Sequence, residues 1–395
     1  MPKKLELLAP AGSFETLTAA VNAGADAVYF GLKEFSMRAT AKNFEISDLE
    51  KVRAICNSSP RKTKMYVTLN TIIYNKELKK IEDTIKKIKS EVDAIICWDL
   101  AVVKLCKKYK VPFFISTQAS VANKESAQLY KNLGAKRIIL ARELDLKQIK
   151  EISKVIDTEI FIHGAMCVAV SGRCLMSQFL FNKSANRGQC LQPCRRSYIV
   201  KDSQEGYELK LENDKIFSPK DLCALPFFEK IKKSGAVSFK IEGRNRDARY
   251  VDTVVKIYRK AIDKKLTKKE LDESIEKLNS VYNRGFSKGF YFGIPTSDDF
   301  SKVEHSAAKE KKHFVGKIYN YLPKIKVALI KVSSPFKVGD KIVVIGKTTG
   351  IVHDKIKRME VNKKSVISVK KGDEVGMKLS DVKKGDEVYV VLENK

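Results

Sequence analysis

Histidine is scarce in this chain, with four among 395 residues. No H-E-x-x-H motif occurs and no Ser-His or Cys-His constellation is evident, so a hydrolytic zinc site or an activated nucleophile has little to be built from. Acidic residues are short as well, 47 against 76 Lys and Arg, and the resulting net charge of +29 is spread along the whole chain instead of sitting in a tail. A polyanion is the first partner such a surface suits; the alternative reading is a Lys-rich composition set by the genome or growth conditions of the source. Long apolar runs are missing: none reaches the ~18 residues of a membrane span, and the N-terminal "MPKKLELLAPAGSF" has no signal-peptide core. Neither a span nor export is expected, and the expected location is cytoplasmic. Structural disulfides are rare there, which leaves metal binding, catalysis or burial for the eight cysteines.

Eight short β-rich runs are present: "LELLAP", "AVYFG", "MYVTLN", "AIICW", "FFISTQ", "RIILAR", "EIFIHG" and "SFKIEG". Helical patterns separate them, among them "SDLEKVRAICNSS", read with a Ser47/Glu50 capping box, and "DLKQIKEISKVI", with Leu146, Ile149, Ile152 and Val155 on one apolar face. Strict alternation implies parallel strands with helical crossovers, and eight units fit a (β/α)8 TIM-like barrel with its active site at the C-terminal strand ends. A doubly wound open sheet is the alternative, disfavoured by the lack of a Gly-rich phosphate turn after the first strand. The expected barrel spans 1–265, with a Cys-rich insertion, 165–224, after the seventh strand. A helical and Gly-aromatic linker over 266–312 contains "YNRGFSKGFYFG". From 313 to 395 the chain turns Val/Ile-rich with period-two runs, broken by "KVGDKI" and two copies of "KKGDEV", which predicts a small all-β barrel.

Cys56, Cys97 and Cys106 lie in apolar patterns and read as packing residues. The other five, Cys167, Cys174, Cys190, Cys194 and Cys223, crowd into the insertion, which holds no histidine. Four thiolates from one connection suit a structural zinc or an iron-sulfur cluster. Only Cys190 and Cys194 are spaced like a zinc knuckle, and the wide, unequal spacing of the rest favours a cluster.

The segments "LELLAPAGSFETLTAAVNAGADAVYFG", "FSMRATAKNF", "FIHGAMCVAVSGRCLMSQF", "GQCLQPCRRSY" and "FKIEGRNR" together resemble peptidase family U32, the collagenase-like proteins. The resemblance covers the barrel and the linker. It implies an oxygen-independent hydroxylase with a [4Fe-4S] cluster on four cysteines. Branches of that family act on a tRNA wobble uridine with prephenate as hydroxyl source, on a cytidine of large ribosomal RNA, or on the ubiquinone ring. By position the ligands would be Cys167, Cys174, Cys190 and Cys223, and the closeness of Cys194 to Cys190 leaves that choice open. A barrel followed by a small β-domain resembles the tRNA branch, so the expected product is 5-hydroxyuridine and the expected partners are tRNA and a small dicarboxylate.

The reading puts Glu6, Asn70, Gln118, Arg142, His163 and Glu242 at the C-terminal strand ends, with Arg38 and Arg244 on the loops beyond. His163, Glu242 and Arg38 are the expected catalytic groups, His163 as a proton shuttle and Glu242 as an acid, a base or the group that orients a base edge. Arg38, Arg142 and Arg244 are suited to gripping a dicarboxylate, because guanidinium pairs bidentately with carboxylates. Asn70, Gln118 and Glu6 complete the expected substrate contacts. Structural readings stand beside these: Arg142 and Glu242 as a loop-ordering ion pair, His163 as a satisfied core residue. The alternatives of other classes are a U32-type peptidase, an rRNA cytidine hydroxylase, and an RNA-binding module with structural zinc.

Overall fold

The computed structural model describes residues 4–198, 203–206, 217–303 and 305–394. All eight apolar runs form strands: β1 Glu6–Pro10, β2 Ala27–Gly31, β3 Lys64–Thr68, β4 Ala94–Cys97, β5 Phe113–Ile115, β6 Arg137–Ile139, β7 Thr158–Gly164 and, after a short strand β8 (Asp221–Cys223), β9 Ser238–Ile241. They pair in parallel in chain order, and β9 closes the ring, with Ser238 in register with both Glu6 of β1 and Glu159 of β7. Every residue of β1, β2 and β7 is buried, as expected for strands covered on both faces. Cys56, Cys97 and Cys106 are buried in the same apolar core.

The helices are α1 Phe14–Asn22, α2 Leu49–Asn57, α3 Leu78–Ile88, α4 Leu100–Lys108, α5 Lys124–Asn132, α6 Leu146–Ser153, α7 Met176–Phe181, α8 Phe228–Lys232, α9 Ala248–Asp263 and α10 Lys268–Ser280. Ser13, Asp99, Asn123, Asp145 and Asp247 cap α1, α4, α5, α6 and α9 by accepting from orphan backbone N–H groups. On α6, Ile149 and Ile152 are buried and Leu146 and the nearby Val155 pack beside them. The expected Ser47/Glu50 box is not what starts α2. A 3-10 turn, Ile46–Asp48, comes first, and Asp48 Oδ2 accepts from the Glu45 N–H at 2.9 Å. The tight turn takes up Ser47 before the helix begins.

The barrel's N-terminal end is filled by charge. Arg137 Nη1 lies 2.5 Å from Glu6 Oε1 and 3.2 Å from Glu159 Oε2, Tyr66 donates to Glu6 at 2.8 Å, and Lys240 Nζ donates to Glu159 at 3.0 Å. Glu6 therefore does not belong to the mouth. It is the first residue of β1, and in a parallel barrel the first residues of the strands sit at the opposite end from the last ones.

After β7 the chain runs through short turns and α7, then returns in β8, antiparallel to the end of β7 (Gly164 opposite Leu222). The strand β10, Phe286–Ser287, adds to β8, and Leu278, Val281 and Tyr291 join the barrel's core. Beyond Glu310 the chain is antiparallel all-β. Its ladder runs in the order 350–355, 341–346, 387–393, 310–322, 327–332, 374–378, 359–361 and 364–366, around a separate apolar core that includes Val315, Ile330 and Val344. The three related turns share one geometry. Asp340, Asp373 and Asp386 each accept from the N–H of the Lys three residues before, and the glycine between has φ near +95°. Among the described residues no helix is long and apolar enough to cross a membrane.

Candidate active site at the barrel mouth

The strand ends and the insertion enclose a cavity of about 130 Å³, an order of magnitude above the ~10–15 Å³ that one water needs. Its walls bring together Arg38, Gln118, Arg142 and Glu242 with Cys167, Cys174, Cys190 and Cys194. Two close approaches shape it. Gly164 has φ +103°, and a Cβ there would stand 2.4 Å from the Glu242 carbonyl oxygen. Gly188 has φ +87°, and its carbonyl accepts from the Ala39 N–H at 3.1 Å, tying the insertion to the loop that carries Arg38.

Glu242 sits at the end of β9 among cations. Arg38 Nη2 is 3.3 Å from Oε1, Arg142 Nη2 is 3.8 Å from Oε2, and the Tyr29 hydroxyl donates to Oε2 at 3.3 Å. Burial pushes its carboxyl up, but Arg38, Arg142, Arg244 and Lys240 together outweigh burial and hold it at about 2. Arg142 is itself fixed, stacked 3.8 Å over the Phe161 ring and donating to the Ala165 carbonyl at 2.6 Å. Arg38 is 34 % exposed, so part of its guanidinium still faces the cavity. Gln118 is on the wall. Asn70 stands behind it, its Oδ1 accepting from the Met37 N–H at 3.2 Å and its amide 3.4 Å from Gln118 Oε1.

Besides Glu6 and Asn70, three more expected site residues lie off the cavity wall. Arg244 is buried beside the cavity, donating to Ser36 Oγ at 2.7 Å and Thr68 Oγ1 at 3.0 Å, and burial and Arg38 hold its pKa down to about 10. It orders the loop and does not line the wall. His163 is 1 % exposed, ringed by Tyr250, Tyr258 and Phe286, and burial drives its pKa down to about 3. Strict alternation from Glu159 and Phe161 would turn it inward. A register shift between Phe161 and His163 turns it outward instead, opposite Ile241 and against α9. Cys223 is also buried, 3.9 Å from the Tyr258 hydroxyl, and is not on the cavity wall, whereas Cys194 is.

Two of the cavity thiols, Cys174 and Cys194, sense their neighbours. Burial, with Cys167 and Cys190 adding, raises the Cys174 thiol, and burial raises Cys194 to about 11 with its three neighbours contributing. No cysteine is in a disulfide, and among the described residues no three His, Cys, Asp or Glu are gathered tightly enough to hold a metal ion. The thiols surround a space rather than a point. On the same wall Ser171 is held at φ 50°, and its buried Oγ has no partner among the described residues. Soft donors around a roomy cavity with an orphaned hydroxyl fit a multi-atom thiolate-bound group. Sequence reasoning missed Arg195, Arg246 and Arg284, which also line the cavity. Arg195 and Arg246 lie in "GQCLQPCRRSY" and "FKIEGRNR", two of the segments that carry the resemblance, and Arg284 lies in the linker's "YNRGFSKGFYFG".

The sequence profile of peptidase family U32 matches residues 12–300. The chain belongs to that family. An uncharacterized protease of Methanocaldococcus jannaschii is 42% identical, with 98% of each chain covered. A collagenase of Porphyromonas gingivalis is 37% identical, with 95% of each covered. A tRNA hydroxylation protein of Bacillus subtilis is 36% identical, covering 87% of this chain and 84% of its own. In U32 terms the resembling segments are not scattered. "FIHGAMCVAVSGRCLMSQF" supplies the end of β7 and two of the wall thiols, "GQCLQPCRRSY" the other two, and "FKIEGRNR" runs from β9 through Glu242 to Arg246.

Proposed function

We propose that this chain is a tRNA hydroxylase that works without molecular oxygen, converting a wobble uridine to 5-hydroxyuridine with prephenate as hydroxyl donor and a [4Fe-4S] cluster at the cysteine wall. The observation that carries this reading is one cavity whose lining holds both four free thiols and ion-paired Glu242. The relative named for tRNA hydroxylation and the net charge of +29 support the choice of substrate.

Cys167, Cys174 and Cys190 would hold the cluster, with the fourth ligand drawn from Cys194 on the wall or Cys223 behind it. Bound there, the group supplies one-electron chemistry beside the substrate. The remaining work falls to this chain's side chains. Glu242, at about 2, is too acidic to take a proton efficiently near neutral pH, since an effective base has its pKa near the working pH. Its carboxylate suits accepting from the ring N–H of a uracil, with Gln118 donating to a ring carbonyl. The open side of Arg38 suits a carboxylate of the small co-substrate.

Protein purified without oxygen should contain about four irons and four sulfides per chain with broad visible absorbance. Cells whose only copy carries Cys174→Ala should lack the modified nucleoside in tRNA. One tightly held zinc with no colour, or an unchanged tRNA nucleoside profile with a change in ribosomal RNA instead, would overturn the assignment. The relative named as a collagenase favours a second reading, hydrolysis of peptides. Among the described residues no histidine hydrogen-bonds a cavity thiol, and the Cys174 and Cys194 thiols are pushed up instead of down, which makes poor nucleophiles of them. Gelatin hydrolysis abolished by Cys174→Ala would establish the peptidase reading.

A further inference from the structure

Next to the cysteine wall, a rim hollow is lined by Cys190, Gln192, Arg195, Arg246, Tyr282 and Arg284, among others. Its cations are organised about one ring. The Arg246 guanidinium lies 3.4 Å from the Tyr282 ring centroid and that of Arg284 lies 5.1 Å from it. Arg195 is committed to main-chain and hydroxyl partners, Met166 O, Pro219 O and Ser218 Oγ. Arg284 donates to Gln192 Oε1 at 3.1 Å and stands 3.7 Å from Asp221, but its buried Nε has no partner among the described residues. The half-buried Arg246 guanidinium makes no hydrogen bond and no ion pair among the described residues beyond its place on the ring.

Charge does not balance here. Against Arg195, Arg246 and Arg284 stands Asp221, whose own Oδ1 is buried without a hydrogen bond. Burial, followed by repulsion from Arg195, holds the Arg284 pKa down, while Tyr282 and Asp221 pull it up. Position then narrows the anion. Arg246 lines the cavity, the rim hollow and the groove between the barrel and the β-domain. That groove continues past Lys317 and Lys384, and seven basic side chains line it against four acidic ones. A small dicarboxylate needs one compact seat, whereas cations spaced from a cavity out along a groove match a chain of phosphates.

We propose that Arg246 and Arg284, stacked on Tyr282, seat a backbone phosphate of the substrate RNA at the cavity rim. The nucleotide attached to it turns its base inward toward Gln118 and Glu242. This rests on the RNA-substrate reading above and adds the groups that hold that RNA. Arg serves better than Lys, because its plane stacks on the ring while its edge donors face the phosphate.

The test uses full-length protein with Arg246→Ala, Arg246→Lys and wild type, each checked for an unchanged melting curve. Binding of bulk unmodified tRNA is followed by anisotropy across a salt series, and binding of prephenate by calorimetry. Arg246→Ala should weaken tRNA binding about tenfold and lower the salt slope by about one, while leaving prephenate affinity unchanged. Arg246→Lys should recover the slope and only part of the affinity. Wild-type tRNA affinity and slope in Arg246→Ala would overturn the proposal alone, and so would loss of prephenate affinity with tRNA binding intact. Wild-type protein that binds no tRNA would overturn the RNA reading and this seat with it.

Discussion

Glu242 is ionised because burial, which opposes its charge, is outweighed by the cations around it, chiefly Arg38 and Arg142. Its folded pKa of about 2 lies below the ordinary 4.5, so its contribution to stability is fully present above pH 4.5 and is lost as the pH falls toward 2. The gap corresponds to about 3 kcal/mol. Urea midpoints of wild type should therefore fall below pH 4.5, while Glu242→Gln should start lower at neutral pH, having left two guanidinium groups unpaired, and decline less on acidification. Equal midpoints at neutral pH would contradict the ion-paired description. His163 behaves differently. Its folded pKa of about 3 lies below 6.5, so the fold favours the neutral ring and loses stability as the pH drops from 6.5 toward 3. His163→Phe should flatten that part of the stability profile and keep the tRNA hydroxylation proposed above; loss of that activity with the fold intact would restore the proton-shuttle role. Cys167, Cys174, Cys190, Glu242 and Arg38 were legible in the sequence because their types and motifs are distinctive, whereas Cys223 was preferred to Cys194, which is the one on the wall. His163 and Glu6 were misplaced because counting alternate residues cannot reveal a bulge, and because the run "LELLAP" meets the mouth with Pro10, not with Glu6.

The strands were legible as elements because a buried parallel strand needs a near-continuous apolar run, and all eight runs satisfy that. The insertion was legible only as a cysteine count, since its short turns carry no periodicity. What fixes its start is backbone conformation at Gly164, which holds φ +103° with no room for a Cβ before the Glu242 carbonyl. Gly164→Ala should cost about 2–3 kcal/mol or more, and should push β7 from β9 where Glu242 is placed. Thermal melts should show the loss, together with lost activity. Gly172 provides the control within the same insertion: its φ is +75°, but nothing lies within 4 Å of an added Cβ. Gly172→Ala should cost only the left-handed backbone term, about 1 kcal/mol. The same element decides the fourth ligand. Cys194→Ala and Cys223→Ala differ in that Cys194 faces the cavity and Cys223 the core. Iron content on anaerobic purification, measured beside the melting temperature, separates lost ligation from lost packing.

At the scale of the molecule, the β-domain is docked on α1 and α9 of the barrel. Ile345 packs with Ala19 of α1 and Ala248 of α9, the Thr18 hydroxyl donates to the Lys347 carbonyl at 2.6 Å, and Lys312 pairs with Asp247 at 3.1 Å. Each half has its own apolar core, so the contact orients the halves more than it folds them. Ile345 is 8 % exposed, and Ile345→Asp would place an unpaired carboxylate between two alanines on helices of the barrel. The contact should open while both cores survive, and a single calorimetric transition should split into two. If the proposed cluster sits at the cysteine wall, its iron content should stay at the wild-type level, because every wall cysteine comes from the barrel's insertion. Affinity for tRNA should fall, because the groove from Arg246 past Lys317 and Lys384 exists only while the domains are docked. Undiminished tRNA affinity with split transitions would mean that the barrel alone binds the RNA and that the β-domain contributes stability only.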